Sequence, residues 1–176
     1  MRILLDRLYQ IAGLLAGFCI VAMAVLILGQ IVGRWFGIIV PSTEDFSGYL
    51  LAAASFLALP FTLRSGGHIR VNLLISQLHG VKRKVTETLV LLLSLLFSGF
   101  AASSAIQLVV ESWRFGDISQ GYVSVPLWIP QVPMALGLVI LTIALLDETV
   151  ALRSGKQPQY LQHDENLVQS TQNTVE

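Results

Sequence analysis

Apolar positions along this chain gather into four long uncharged runs, roughly Leu8–Gly33, Phe46–Leu63, Thr88–Val110 and Pro126–Leu146. Each run contains or approaches the ~20 apolar residues that a helix rising ~1.5 Å per residue needs to cross ~30 Å of hydrocarbon. The pattern predicts an all-α membrane protein with four transmembrane helices, spanning about 8–34, 44–63, 85–113 and 127–148. The first run far exceeds the ~7–15 apolar residues of a signal-peptide core, so it reads as a retained helix. Lys and Arg are sorted across the gaps. One side holds Arg2, Arg7, Arg64, Arg70, Lys82, Arg83, Lys84, Arg153 and Lys156, and the other only Arg34 and Arg114. The positive-inside rule then puts both termini and the middle loop in the cytoplasm of a multi-pass, inner-membrane-type protein.

The polar gaps carry patterns of their own. Arg34, Trp35 and Phe36 close the first run as an interfacial anchor, and the segment from Gly37 to Pro41 breaks the helix. Ser42 with Asp45 three residues on reads as a capping box opening the second helix, with Glu44 and Asp45 at the positive end of its dipole. Pro60 is expected to kink or end that helix. In the middle loop, Val71, Leu74, Ile75, Leu78 and Val81 recur at helical spacing, which predicts a short interfacial amphipathic helix over about 69–81. Pro126, Pro130 and Pro133 are tolerable if the fourth helix begins around Leu127–Pro130, where N–H groups lack intrahelical partners; Asp147 and Glu148 mark its inner end. Residues 1–154 thus form one membrane domain, and the polar, aperiodic stretch 155–176 is expected to be a disordered cytoplasmic tail.

Composition narrows the function. The chain has 176 residues, 54% apolar and 12% charged, with zero formal net charge, so no basic field points to nucleic acid. Cys19 is alone, so no disulfide can form within the chain. The interiors of the four runs lack Asp, Glu, Lys, Arg and His, which argues against a self-contained pump or carrier and against a b-type haem. His68, His79 and His163 read as solvated or interfacial, and no nucleophile triad or phosphate loop is present. The expectation is a protein that is not an enzyme, with no catalytic residue, metal ligand or cofactor of its own.

Candidate contact residues remain. Gly13, Gly17, Gly29 and Gly33 in the first helix, and Ser94 and Ser98 in the third, form small-residue stripes suited to helix packing or a subunit interface. Gln30 and Gln107 are polar groups that prefer a protein neighbour to lipid. Arg64, Arg70, Lys82, Arg83, Lys84, Trp35 and Trp113 are candidate membrane anchors, in contact with lipid headgroups. Glu44, Asp45, Arg114, Asp117 and Tyr122 are candidates for a docking surface on the outer face.

Taken in order, these pieces resemble the small membrane subunit of tripartite ATP-independent periplasmic (TRAP) transporters. The similarity covers about Leu8 to Leu152. It rests on Glu44-Asp45, on Leu63-Arg64-Ser65-Gly66-Gly67-His68-Ile69-Arg70-Val71, on Trp113-Arg114-Phe115-Gly116-Asp117 with Ser119, and on Pro126-Leu127-Trp128. The stretch Gly67 to Val71 is the most specific part, and Asn72 departs from a pattern that more often has an acidic residue there. The resemblance implies a scaffold subunit of a sodium-driven, binding-protein-dependent symporter for organic acids. Its partners would be a large membrane transport subunit, forming a heterodimer and holding the sodium site, and a periplasmic substrate-binding protein that the outer loops help to dock. The rival readings are a homo-oligomeric tetraspan channel or carrier, and a membrane anchor for an enzyme complex.

Overall fold

The computed structural model describes residues 2–38, 41–65 and 81–153. It contains four helices: α1 (Arg2–Trp35), α2 (Thr43–Arg64), α3 (Val81–Phe115) and α4 (Trp128–Arg153). All four are long and apolar enough to cross a membrane. Among the described residues there is no β-strand, only an isolated bridge between Ile118 and Pro126. The expected interfacial helix, apart from Val81, and the expected disordered tail lie outside the described residues.

Glycine closes two of the helices. Gly37 takes φ 71° after α1, and the Ile38 N–H donates to the Gly33 carbonyl at 2.9 Å while the Gly37 N–H donates to Arg34 at 3.2 Å. Gly116 takes φ 67° after α3, with the Asp117 N–H on the Ser112 carbonyl at 3.0 Å. This left-handed turn satisfies the last carbonyls of a helix, and glycine reaches it without a Cβ clash.

The helices form an open row rather than a closed bundle. α1 packs along α2, α2 along α4, and α4 along α3; α1 touches α4 only slightly and has no extensive contact with α3. Two antiparallel hairpins, α1–α2 and α3–α4, are thus joined through the parallel pair α2 and α4. Water cannot drive helices together inside hydrocarbon, so close backbone approach and polar contacts must do so. Both occur. Ala102 and Ala105 of α3 pack on Ala135 and Leu138 of α4, and the Ser98 and Thr142 hydroxyls bond across the same pair at 2.8 Å. Gly13 of α1 lies against the Phe61 ring of α2.

The α2–α4 seam is the tightest approach. A Cβ on Gly137 would run into the Phe56 carbonyl and come within 3.0 Å of the Leu57 nitrogen. Phe56 is four residues before Pro60, which has no N–H to give it. The proline withholds the usual helical N–H from that carbonyl, and the glycine lets the α4 backbone come up to it without a side chain between. α2 runs through Pro60, which is fully buried, to Arg64, one residue past the expected bound of about 63. One sequence expectation needs correction here. α4 does not end at Asp147 and Glu148 but runs on to Arg153, with Glu148 buried; both elements gain packing by continuing.

Gly137→Ala is therefore expected to cost about 1–3 kcal/mol, because a backbone neighbour cannot swing away. Gly17→Ala meets open space and should be neutral or slightly stabilising. Thermal unfolding in detergent, followed by tryptophan fluorescence, compares the two.

Candidate functional site

Polar structure concentrates at the two ends of the row. At one end, the segment linking α3 to α4 folds back on itself around Ser119. The Ser119 N–H donates to the Val125 carbonyl at 2.8 Å, and the Val125 N–H returns to Ser119 Oγ at 3.0 Å. Ser119 Oγ donates to the Val123 carbonyl at 3.3 Å, and the Leu127 N–H to the Asp117 carbonyl at 2.9 Å. Ser119 is buried by this closure.

The closed loop then docks on the start of α2. The Val123 N–H donates to Ser42 Oγ at 2.9 Å, and Gly121 lies so close to the Asp45 carboxylate that a Cβ there would collide with it. Ser42 stands at the N-cap position expected from sequence, with its carbonyl accepting from the Phe46 N–H at 3.1 Å, but its side chain does not cap. It precedes α2 with φ 57° and makes no side-chain cap, because its hydroxyl serves the loop. Residues 116–127 therefore lead from the end of α3 to the start of α2 and back to α4, which lies between them in the row.

The candidate docking residues all fall at this loop end. Asp45 is half-buried against Gly121, whereas Glu44, Arg114 and Asp117 are exposed. Tyr122 is 94% exposed. Around them stand Trp35, Phe36, Trp113 and Phe115, all exposed, as aromatic residues do at a membrane–water boundary.

The opposite end is built on Arg64. Its guanidinium pairs with Asp6 of α1 through Nη2 and reaches Asp147 of α4 through Nη1 at 3.5 Å. It also lies over the Tyr9 ring, 5.2 Å from the centroid, in cation–π position. Tyr9 is fully buried among Leu63, Leu91, Ala144 and Leu145, and Glu148 is buried on the next residue of α4. One cation thus ties α2 to both its neighbours in the row. Arginine suits this position because its planar fork can serve two carboxylates while its face lies on a ring. Among the described residues no group of three or more His, Cys, Asp or Glu could hold a metal ion.

The profile of the DctQ component of tripartite ATP-independent periplasmic transporters matches residues 23–155. The chain belongs to this family. Neither the curated proteins nor the solved structures contain a significant match. The DctQ component is a small membrane component of a transporter, and its family is not one of enzymes. Membership implies association with a large membrane subunit and a binding protein.

Against this family the other sequence candidates sort as follows. Gly13 and Ser98 are used inside the row, whereas Gly17 and Gly29 face open space and Gly33 precedes the glycine turn that ends α1. Ser94 is half-buried. Arg70 lies outside the described residues, and Lys82, Arg83 and Lys84 occupy the first turn of α3. Asp6 and Tyr9 were missed by sequence reasoning, and Arg64 was given headgroups rather than these partners. The available signal was that Asp6, Arg64 and Asp147 flank three runs on one expected membrane side, with Asp6 and Tyr9 three apart on one helix face.

Arg64→Leu leaves two carboxylates without their cation and is expected to cost about 1–3 kcal/mol, less than a deeply buried pair because Asp6 is 42% exposed. Adding Asp147→Leu should recover part of the loss. Unfolding midpoints of the three proteins in detergent check this, and no recovery would mean that the pairing is not what Arg64 contributes.

Proposed function

We propose that this chain is the fixed scaffold subunit of a sodium-driven, binding-protein-dependent transporter for organic acids. It stands beside a large membrane subunit that binds both substrate and sodium. In this reading the Arg64 end of the row is cytoplasmic, as the Lys/Arg distribution favours, and the loop end is periplasmic. The pair forms a heterodimer in the bacterial inner membrane.

The observation that supports this reading best is the open row itself. Four helices side by side, with two broad faces and two free edges, make a poor container for a substrate and a good wall against a larger membrane protein. The Arg64 ties and the Gly137 seam hold the wall together where a moving neighbour would otherwise shear it. The basic first turn of α3 and the aromatic residues at the loop end would fix its depth in the bilayer.

The loop end is the proposed platform for the periplasmic binding protein. Asp117 and Tyr122 are exposed there on a loop pinned to α2, with Glu44 exposed in the first turn of α2 and Arg114 in the last turn of α3, so a partner would meet a preformed surface. Asp45 contributes by holding the loop at Gly121.

The decisive experiment is co-expression of the tagged chain with a large membrane subunit from the same organism, followed by mass determination of the detergent complex. A stable one-to-one heterodimer is expected; a homo-oligomer that ignores the large subunit would instead favour a channel or carrier. For docking, Glu44→Lys with Asp117→Lys should weaken binding-protein affinity and uptake in reconstituted vesicles while the heterodimer stays intact. Unchanged affinity and uptake would remove these residues from the platform.

A further inference from the structure

α3 lies at one edge of the row and turns its Ala102, Ala105 and Ser98 side toward α4. Opposite that side, at helical spacing, stand Ser103, Ser104, Gln107, Glu111 and Arg114, all exposed. Ser104, Gln107, Glu111 and Arg114 follow one another at three or four residues, with Ser103 beside Ser104, so they form one face pointing directly away from the rest of the protein.

Such a face is poorly suited to lipid. Gln107 lies about 12 Å below Phe115 along the helix at ~1.5 Å per residue, too deep for its amide to reach the headgroups. Elsewhere in the spans, the hydroxyls of Ser55, Thr62, Thr142 and Thr149 return to carbonyls of their own helices, as Ser103 does to Phe100. Gln107 and Glu111 make no such bond, and neither side chain has a hydrogen-bond or ion-pair partner among the described residues. An amide left so in hydrocarbon is costly, and Glu111, two residues before the boundary residue Trp113, sets a carboxylate on the same face at the edge of the span. The other edge differs. Over the same depth α1 exposes Val25, Ile27, Leu28, Ile31 and Val32, all compatible with acyl chains, and Gln30 is half-buried.

We infer that the Ser104–Gln107–Glu111 face of α3 is the surface on which the large transport subunit docks. The inference rests on the scaffold reading above and adds to it which edge is engaged. The partner must present a transmembrane helix with hydrogen-bond donors at this depth, a cationic or amide side chain opposite Glu111 and a hydroxyl or amide opposite Gln107. α1 then faces lipid. The α3 face supplies specificity, because a helix without matching donors would leave both groups unpaired.

The test labels single cysteines with a benzophenone maleimide in a Cys19→Ala background, in membranes holding both subunits. Photolysis from Ser104→Cys and Gln107→Cys should give adducts with the large subunit, and from Phe18→Cys and Val25→Cys adducts with lipid. In parallel, Gln107→Leu with Glu111→Leu should lower the heterodimer association constant about three- to thirtyfold, the range for lost interhelical polar contacts. The unfolding midpoint of the isolated subunit should not fall, since the replacements touch no internal contact. Adducts with the large subunit from the α1 positions alone would overturn the inference and leave the scaffold reading standing. So would adducts from α3 to lipid or to a second copy, or an unchanged association constant. If the unsubstituted chain forms no complex with the large subunit, the scaffold reading fails and this inference with it.

Discussion

Everything in this protein hangs on the contact between α2 and α4, because these two parallel helices join the two hairpins. In water, two apolar helix faces would associate by area alone. Inside a bilayer that drive is absent, so the seam needs backbone proximity and a reason for the backbones to be near. Pro60 withholds the helical N–H from the Phe56 carbonyl, and Gly137 supplies a helix surface without a side chain against it. Neither residue alone makes the seam. A proline without the facing glycine would leave a carbonyl stranded, and a glycine without the proline would only loosen α4.

From that seam the two polar ends follow. α2 and α4 both begin at the loop end and finish near Arg64, so residues at like depth come side by side. Ser42 and Asp45 meet the loop that precedes α4, and Arg64 meets Asp147. The end contacts are charged or polar and lie where water or headgroups reduce their desolvation cost, while the middle is closed by small residues and one hydroxyl pair. The row is thus fastened along its length by contacts matched to depth. α1 joins by Gly13 against Phe61 and by Asp6 on Arg64, so one edge of the row depends on the same cation as its centre.

Much of this was legible in the sequence, and the reason differs for each part. Four helices follow from run length, since no other local structure satisfies the backbone of twenty apolar residues in hydrocarbon. Gly37 was legible as a breaker because a left-handed turn selects glycine; the same logic applies to Gly116. Ser42 was misread. Its side chain could cap a helix or serve a distant loop, and spacing cannot decide between a neighbour three residues on and one eighty-one residues away. The order of helices in the row was not legible at all, because hydropathy fixes that a face is apolar but not what covers it. For the same reason Arg64 looked like an anchor. An arginine at a span end satisfies the positive-inside pattern whether it meets phosphate or carboxylate, and only tertiary placement separates the two.

An open row also explains why the chain carries so few charges within its spans and yet keeps polar groups on one outer face. A closed four-helix bundle could bury Gln107 and Glu111 toward a common axis. A row has no axis, so any polar side chain that does not face a neighbour must face outward. Retaining the Gln107 amide within the span weakens insertion of the isolated subunit, and substitution by leucine would relieve that cost locally. The arrangement makes physical sense when the completed structure extends beyond α3, with groups that find no partner among the described residues becoming those that choose its neighbour.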